Sequence, residues 1–322
     1  MGDEVLVSVI MITYGHEMYI KQAIEGVLMQ KCDFKLELLV SNDNSPDNTD
    51  IVVKDIIRSH SRSNWIKYTC HEKNKGAQEN FNWAASQANG KYIAICEGDD
   101  YWTDDLKLQT QIDFLETNRE FSGSVHYTSV MLDNKIVSSS YKKINYRERW
   151  TVENLKEIDG TLLSQTSSFV FKRETLGFDL HRGLKSRIFH GDTLVFTNLF
   201  QYGPVQFIDK NMSVYRLHSG GISKQLNNQK EKFYRDRVLE NIAFKKLFPF
   251  LDYKFESAKR VYFILYALTL KLEGKNRNRS RAILRIYFST WITWRMLIGK
   301  SSFRRPVLRL TQRIILNKLN LQ

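Results

Sequence analysis

No run of about 18 uninterrupted apolar residues occurs in this chain of 322 residues, so nothing in it reads as a simple membrane-spanning helix. Its start, Met-Gly-Asp-Glu, lacks the basic and apolar regions of a secretory signal. Cysteine is scarce. Cys32, Cys70 and Cys96 are odd in number, widely spaced and without metal-ligand pairing, which argues against a disulfide framework or a zinc site and fits a reducing cytoplasm. Neither G-x-G-x-x-G nor G-x-x-x-x-G-K-[ST] follows the first apolar run, which argues against dehydrogenases and P-loop enzymes. Internal repeats and low-complexity tracts are also missing. What remains, 42% apolar and 26% charged residues, has the composition of a protein with a substantial core.

Charge is unevenly placed. Residues 1–224 hold 26 Lys+Arg against 29 Asp+Glu, a balance of −3, whereas 225–322 hold 22 against 6, a balance of +16, so the net +13 comes from the C-terminal third alone. Two regions are expected, 1–221 and a helical, basic 222–322.

Within the first region, apolar β-forming runs alternate with helical spacing. Val5 to Ile12 is followed by Met18, Tyr19, Ile20, Ala23, Ile24, Val27 and Leu28 at helical intervals. Leu36 to Val40, Trp65 to Cys70 and Tyr92 to Cys96 repeat the strand signal, with helices expected from Ile51, over Gly76 to Asn89 and over Asp104 to Asn118. Such alternation predicts an α/β fold, a mainly parallel sheet with helices on both faces. Further strands are expected at Ser122 to Leu132, Lys135 to Ser139, Ser167 to Phe171, Val205 to Ile208 and Met212 to Tyr215, and a helix over Asp192 to Tyr202; residues 140–163 give no clear pattern.

Ligands of open parallel sheets bind beyond the carboxyl ends of the strands. Those positions are polar here: Thr13, Tyr14 and Glu17 after the first strand, Asn42 and Asp43 after the second, Asn74 and Lys75 after the third, and Glu97, Asp99 and Asp100 after the fourth. Three acids at one rigid strand end repel one another unless a cation compensates them, and hard oxygen ligands suit Mg²⁺ or Mn²⁺. A solvated acidic loop leading into the next helix is the plainer alternative.

Five motifs carry a resemblance. Val-Ser-Val-Ile-Met-Ile-Thr-Tyr-Gly (7–15), Ser-Asn-Asp-Asn-Ser-Pro-Asp-Asn-Thr (41–49), Glu-Gly-Asp-Asp-Tyr-Trp (97–102), Gly-Asp (191–192) and Tyr-Arg-Leu-His (215–218) resemble, in order and spacing, glycosyltransferase family 2 over roughly residues 5–220. The resemblance implies a GT-A fold, a UDP-sugar donor, Mn²⁺ or Mg²⁺, inversion at the anomeric carbon and a saccharide or lipid-linked saccharide acceptor. It implies that Thr13, Tyr14 and Glu17 line the nucleotide pocket, with Asp43 accepting from the uracil N3–H and Asn74 and Lys75 close by. Glu97, Asp99 and Asp100 correspond to the acidic metal motif, Asp100 as the more direct ligand. Asp192 corresponds to the general base, or else caps its helix. Arg216 and His218 belong to a segment that closes over the diphosphate, with His218 also a candidate metal ligand. Neither Gln-x-x-Arg-Trp nor several membrane spans are present, which reads as addition of one sugar per encounter. Where the family often has two acids, Asn42 stands first.

Two other readings compete. A sugar-nucleotide pyrophosphorylase would need a Gly-rich, Arg-containing loop where Thr13-Tyr14-Gly15-His16 stands, and a non-catalytic nucleic-acid or saccharide binding protein would use the basic tail. The catalytic half calls for no nucleic acid. In the tail, Tyr287, Phe288, Trp291 and Trp294 are interleaved with Arg281, Arg285 and Arg295, a pattern suited to a helix lying on an anionic membrane surface. The expected location is cytoplasmic, peripheral on the inner face of the cytoplasmic membrane, in synthesis of a bacterial surface polysaccharide or lipid-linked oligosaccharide.

Overall fold

The structure, a computed structural model, describes residues 4–139, 148–157, 164–177, 191–221 and 230–251. The expectations for the basic tail from 252 onward lie outside these residues.

Strands β1 (Val7–Thr13), β2 (Leu36–Asn42), β3 (Ile66–Cys70) and β4 (Tyr92–Ile95) are parallel in the order β3-β2-β1-β4. Every residue of β2 and β4, and all but one of β1, is buried, which is why these runs are largely apolar rather than alternating; the buried Glu37 of β2 accepts from the Ser8 hydroxyl of β1 at 2.6 Å. Successive residues still part by face. Ile10, Leu39, Ile93 and Ile95 enter one apolar cluster, whereas Val9, Met11, Leu38, Val40, Ala94 and Cys96 enter the other.

Helices α1 (Ile20–Leu28), α2 (Thr49–Ser59) and α4 (Lys107–Thr117) cover the second face through Ile20, Ala23, Ile24, Val27, Val53, Ile56, Leu108 and Ile112. On the first face lie α3 (Ala77–Ser86) and, after a short α5 (Val152–Glu157), α6 (Gly191–Leu199). The sheet then becomes mixed. β9 (Val170–Lys172) runs antiparallel between β4 and β6 (Gly123–Leu132), β10 (Val205–Leu217) is parallel to β6, and β5 (Tyr101–Trp102) and β8 (Arg149–Trp150) are antiparallel to β10.

The hairpin from β6 to β7 (Lys135–Ser139) turns at Asp133 and Asn134, both at positive φ (49° and 59°), the conformation of the tight two-residue turns that suit the right-handed twist of a hairpin. The two short strands expected at 205–208 and 212–215 are one. Register shifts around Asn211 let β10 carry an exposed bulge at 209–211 without ending, and an interrupted apolar pattern conceals that continuity.

Helix α7 (Lys230–Leu247) falls in the region expected to be helical. Phe244, near its end, and Phe248 and Leu251 just beyond it are buried in the cluster that holds Phe196 and Phe200. Basic composition concealed this, because an amphipathic helix reveals its charges more readily than the few aromatics that anchor it. No helix of the described residues is long and apolar enough to cross a membrane.

At the start of α4, Lys107 is fully buried, with its ammonium 4.0 Å from the centre of the Trp102 ring and donating to Gln111 Oε1 at 2.8 Å. Burial pushes its pKa down to about 7, from an ordinary 10.5. Between those values the unfolded chain keeps a proton that the folded chain has released, so stability climbs with pH, by at most about 1.4 kcal/mol per unit. Relative to Lys107→Met, the wild type should therefore gain stability from pH 7 upward in urea unfolding; a difference independent of pH would show that Lys107 titrates normally.

Candidate active site

The carboxyl ends of β1, β2 and β4 are level. Thr13 pairs with Asn42, the Asp43 N–H donates to the Thr13 carbonyl at 2.9 Å, and the Gly98 N–H donates to the Ile12 carbonyl at 2.9 Å. Register thus sets the first and second polar loops beside the acidic one.

The three acids of that loop occupy different environments. Asp99 Oδ2 faces His218 Nε2 at 3.1 Å and His16 Nε2 at 3.7 Å. Burial works against its charge, but the His218 hydrogen bond and the two imidazoles outweigh burial and hold the Asp99 carboxyl below the usual range. Asp100 is turned inward, with one oxygen accepting from the Arg216 N–H at 2.9 Å and the other buried without a partner; burial and then the charges of Asp99 and Glu97 raise its pKa well above normal. Glu97 is pushed up to about 8 by burial, then by Asp99 and Asp192. Burial and mutual repulsion thus raise the pKa values of Glu97 and Asp100, whereas the two imidazoles favour the charged form of Asp99.

Among the described residues, a candidate ion-holding group is His16, Asp99 and His218, whose ligand atoms all lie within 4.8 Å of one another; it shares Asp99 and His218 with the expected set and adds His16. Asp100, expected as the direct ligand, ties β10 to the loop through the Arg216 N–H. The sequence pattern cannot order adjacent acids because the turn at 98–100, rather than strand alternation, decides which carboxylate points outward.

Asp192 sits in the first turn of α6, where its Oδ1 accepts from the Thr193 N–H at 2.6 Å. Its charge helps to raise the Glu97 pKa, so α6 brings the base candidate into the neighbourhood of the acidic loop. At the same place Gly191 lies against Gln78 of α3, whose Oε1 would stand 2.5 Å from any added Cβ.

The remaining candidates divide. The Tyr14 ring is half exposed at the edge, as a nucleotide-stacking residue needs to be. Thr13 is buried, its hydroxyl 3.2 Å from His16 Nδ1. Glu17 accepts from the Asn48 N–H at 2.8 Å and so ties the first polar loop to the second. Asp43 is buried, and its two oxygens accept from the N–H groups of Lys75 and Gly76 at 2.7 and 2.8 Å. It therefore shapes the third loop, with Asn74 donating to its carbonyl, and each carboxylate oxygen keeps further acceptor capacity. The Lys75 side chain is exposed.

The Arg216 guanidinium lies 4.3 Å from the Tyr101 ring centre and 5.2 Å from that of Tyr19, and it donates to the Asp99 carbonyl and to Gln22 Oε1. That makes it a buried brace between α1, the acidic loop and β10. Alternation along β10 turns residue 216 inward. His16, Tyr19 and Gln22 were not singled out in the sequence; the available signal was that His16 falls in the same post-strand segment as Thr13 and Glu17.

The profile of Glycosyl transferase family 2 matches residues 8–176, more than half of the chain. The chain belongs to that family. Among its relatives, UDP-Glc:alpha-D-GlcNAc-diphosphoundecaprenol beta-1,3-glucosyltransferase WfaP of Escherichia coli is 30% identical over 250 residues, covering 74% of this chain and 88% of the relative. An uncharacterised protein of Mycobacterium tuberculosis is 27% identical over 230 residues; the match spans 71% of this chain but only 64% of that relative's length. Among solved structures, that of S. aureus TarS in complex with UDP-GlcNAc superposes with a TM-score of 0.55 at 18% identity, covering 83% of this chain and 72% of the other. The last is a likeness of fold, and it makes the architecture GT-A. The acidic loop, inside the matched residues, together with the start of α6 and the end of β10, which lie beyond them, forms the candidate active site.

Proposed function

We propose that this chain transfers a single sugar from a UDP-sugar to a saccharide acceptor, free or lipid-linked, with inversion at the anomeric carbon, in the synthesis of a bacterial surface glycan. The observation that carries the reading is the convergence at one sheet edge of Asp99 with its two imidazoles, the open Tyr14 ring, and Asp192 across from Glu97. WfaP, by its name, uses UDP-Glc and a diphosphoundecaprenol-linked GlcNAc, and TarS is seen with UDP-GlcNAc, which supports a UDP-sugar and a surface glycan.

In the proposed step, the Asp192 carboxylate takes the acceptor hydroxyl proton while that oxygen bonds to the anomeric carbon. The bond from that carbon to the diphosphate breaks on the opposite face, and its electron pair leaves with UDP. A divalent cation fits beside Asp99 and His218; when bound it would supply positive charge beside the departing diphosphate. Asp43 acts on the base through the 74–76 loop, and Arg216 holds the acidic loop in place.

A donor panel tests the reading by measuring UDP release from each UDP-sugar with saccharide acceptors. Turnover of one or a few UDP-sugars, suppressed by EDTA, is expected; no release from any of them would overturn it. A peripheral site on anionic membrane belongs to the same proposal, supported by the +16 balance of residues 225–322. The full chain should sediment with anionic liposomes at low salt and less at high salt; indifference to them at low salt would remove the membrane from the proposal.

A further inference from the structure

The acidic motif of this chain is completed by imidazoles from two distant segments. His16 follows β1, His218 follows β10, and both present Nε2 to the same oxygen of Asp99, at 3.7 and 3.1 Å. A single ion with ligand bonds of about 2.0–2.2 Å can draw in three atoms this close with small side-chain movements. The three side chains are 15, 19 and 12% exposed for His16, Asp99 and His218, enough for an ion to enter and too little for them to be ordinary surface groups.

Two further features favour His16 as a ligand over a bystander. Its second ring nitrogen, Nδ1, lies 3.2 Å from the Thr13 hydroxyl, the kind of outer contact that fixes the orientation and tautomer of a metal-binding imidazole. The loop also closes on this pair only because residue 98 is glycine. A Cβ there would stand 2.7 Å from Thr13 Oγ1 and 3.0 Å from His16 Nδ1.

Donor chemistry then decides which ion. Both Mg²⁺ and Mn²⁺ accept oxygen ligands, but Mg²⁺ is the harder ion and parts with its water reluctantly, whereas Mn²⁺, at the weak end of the first-row transition series, takes imidazole nitrogen more readily than Mg²⁺ does. Two imidazoles and one carboxylate are a poor set for Mg²⁺. We infer that His16 is a metal ligand that completes a His–Asp–His site with Asp99 and His218, and that this site selects Mn²⁺ over Mg²⁺. The inference rests on the divalent-cation reading proposed above and deepens it by naming a ligand and the ion it favours.

The test is metal binding, read without turnover. The free Mn²⁺ resonance is followed by electron paramagnetic resonance as the full chain is added, with and without UDP, and bound Mn²⁺ is then displaced with Mg²⁺. Wild type should bind Mn²⁺ at least about 10-fold more tightly than Mg²⁺, and His16→Asn should weaken Mn²⁺ by about 10–100-fold while changing Mg²⁺ far less, so that the preference collapses. Pulsed measurements on Mn²⁺-loaded wild type add a readout that needs no variant: nitrogen hyperfine coupling from two imidazoles is expected, and its absence overturns the inference. Should Asp99→Asn abolish Mn²⁺ binding while His16→Asn preserves it, the cation reading stands and the His16 assignment falls. If wild type binds Mn²⁺ in neither condition, both fall.

Discussion

Asp192→Asn is expected to lower kcat by about 10²–10⁴-fold while leaving the affinity for the UDP-sugar near that of wild type. The amide keeps the volume and the oxygen that accepts from the Thr193 N–H, so the first turn of α6 should persist, and what is lost is the ability to take a proton as the acceptor oxygen attacks. Position supports the role. Asp192 reaches the acidic loop closely enough for its charge to raise the Glu97 pKa, although the two come from different elements of the fold. Single-turnover rates with saturating acceptor, alongside donor binding by calorimetry, separate this role from a merely local one. A variant that retains most of its kcat places the base elsewhere.

The second large effect distinguishes adjacent acids. Asp99→Asn should reduce kcat/KM by about 10²-fold or more and weaken metal-dependent UDP binding, because Asp99 is the carboxylate that stays ionised and faces both imidazoles. Asp100→Asn should be the milder change. Burial and then Asp99 and Glu97 raise the Asp100 pKa well above normal, and its bonded oxygen accepts the Arg216 N–H, which an amide oxygen also accepts. Steady-state kinetics of the two variants side by side, with melting temperatures to register any loss of the β10 anchor, decide the point. The opposite order of severity would show that the loop turns over on binding donor and that Asp100 is the ligand.

Much of the fold was legible because it obeys periodicity. Largely apolar runs marked β1, β2 and β4 since burial on both faces removes any need for alternation, and helical spacing marked α1 and α2 because each has one face against the sheet. The strand-end rule, together with the family resemblance, likewise assembled the edge that holds Thr13, Asp43, Asp99 and His218. β10 and α7 were harder to read, since a bulge interrupts one pattern and surface charge dominates the other.

By itself the sequence determined the alternating α/β order, the acidic strand end and the family. Only the tertiary structure decided which atoms face one another. It turned Asp99 outward and Asp100 inward, made Arg216 a brace, committed Asp43 to the backbone of a loop more than thirty residues away, and brought His16 to His218 across some two hundred residues of chain. Local pattern records whether a residue lies at a strand end. The direction of its side chain, and whether its neighbours leave it a charge, depend on turns, register and burial contributed by segments far away in sequence.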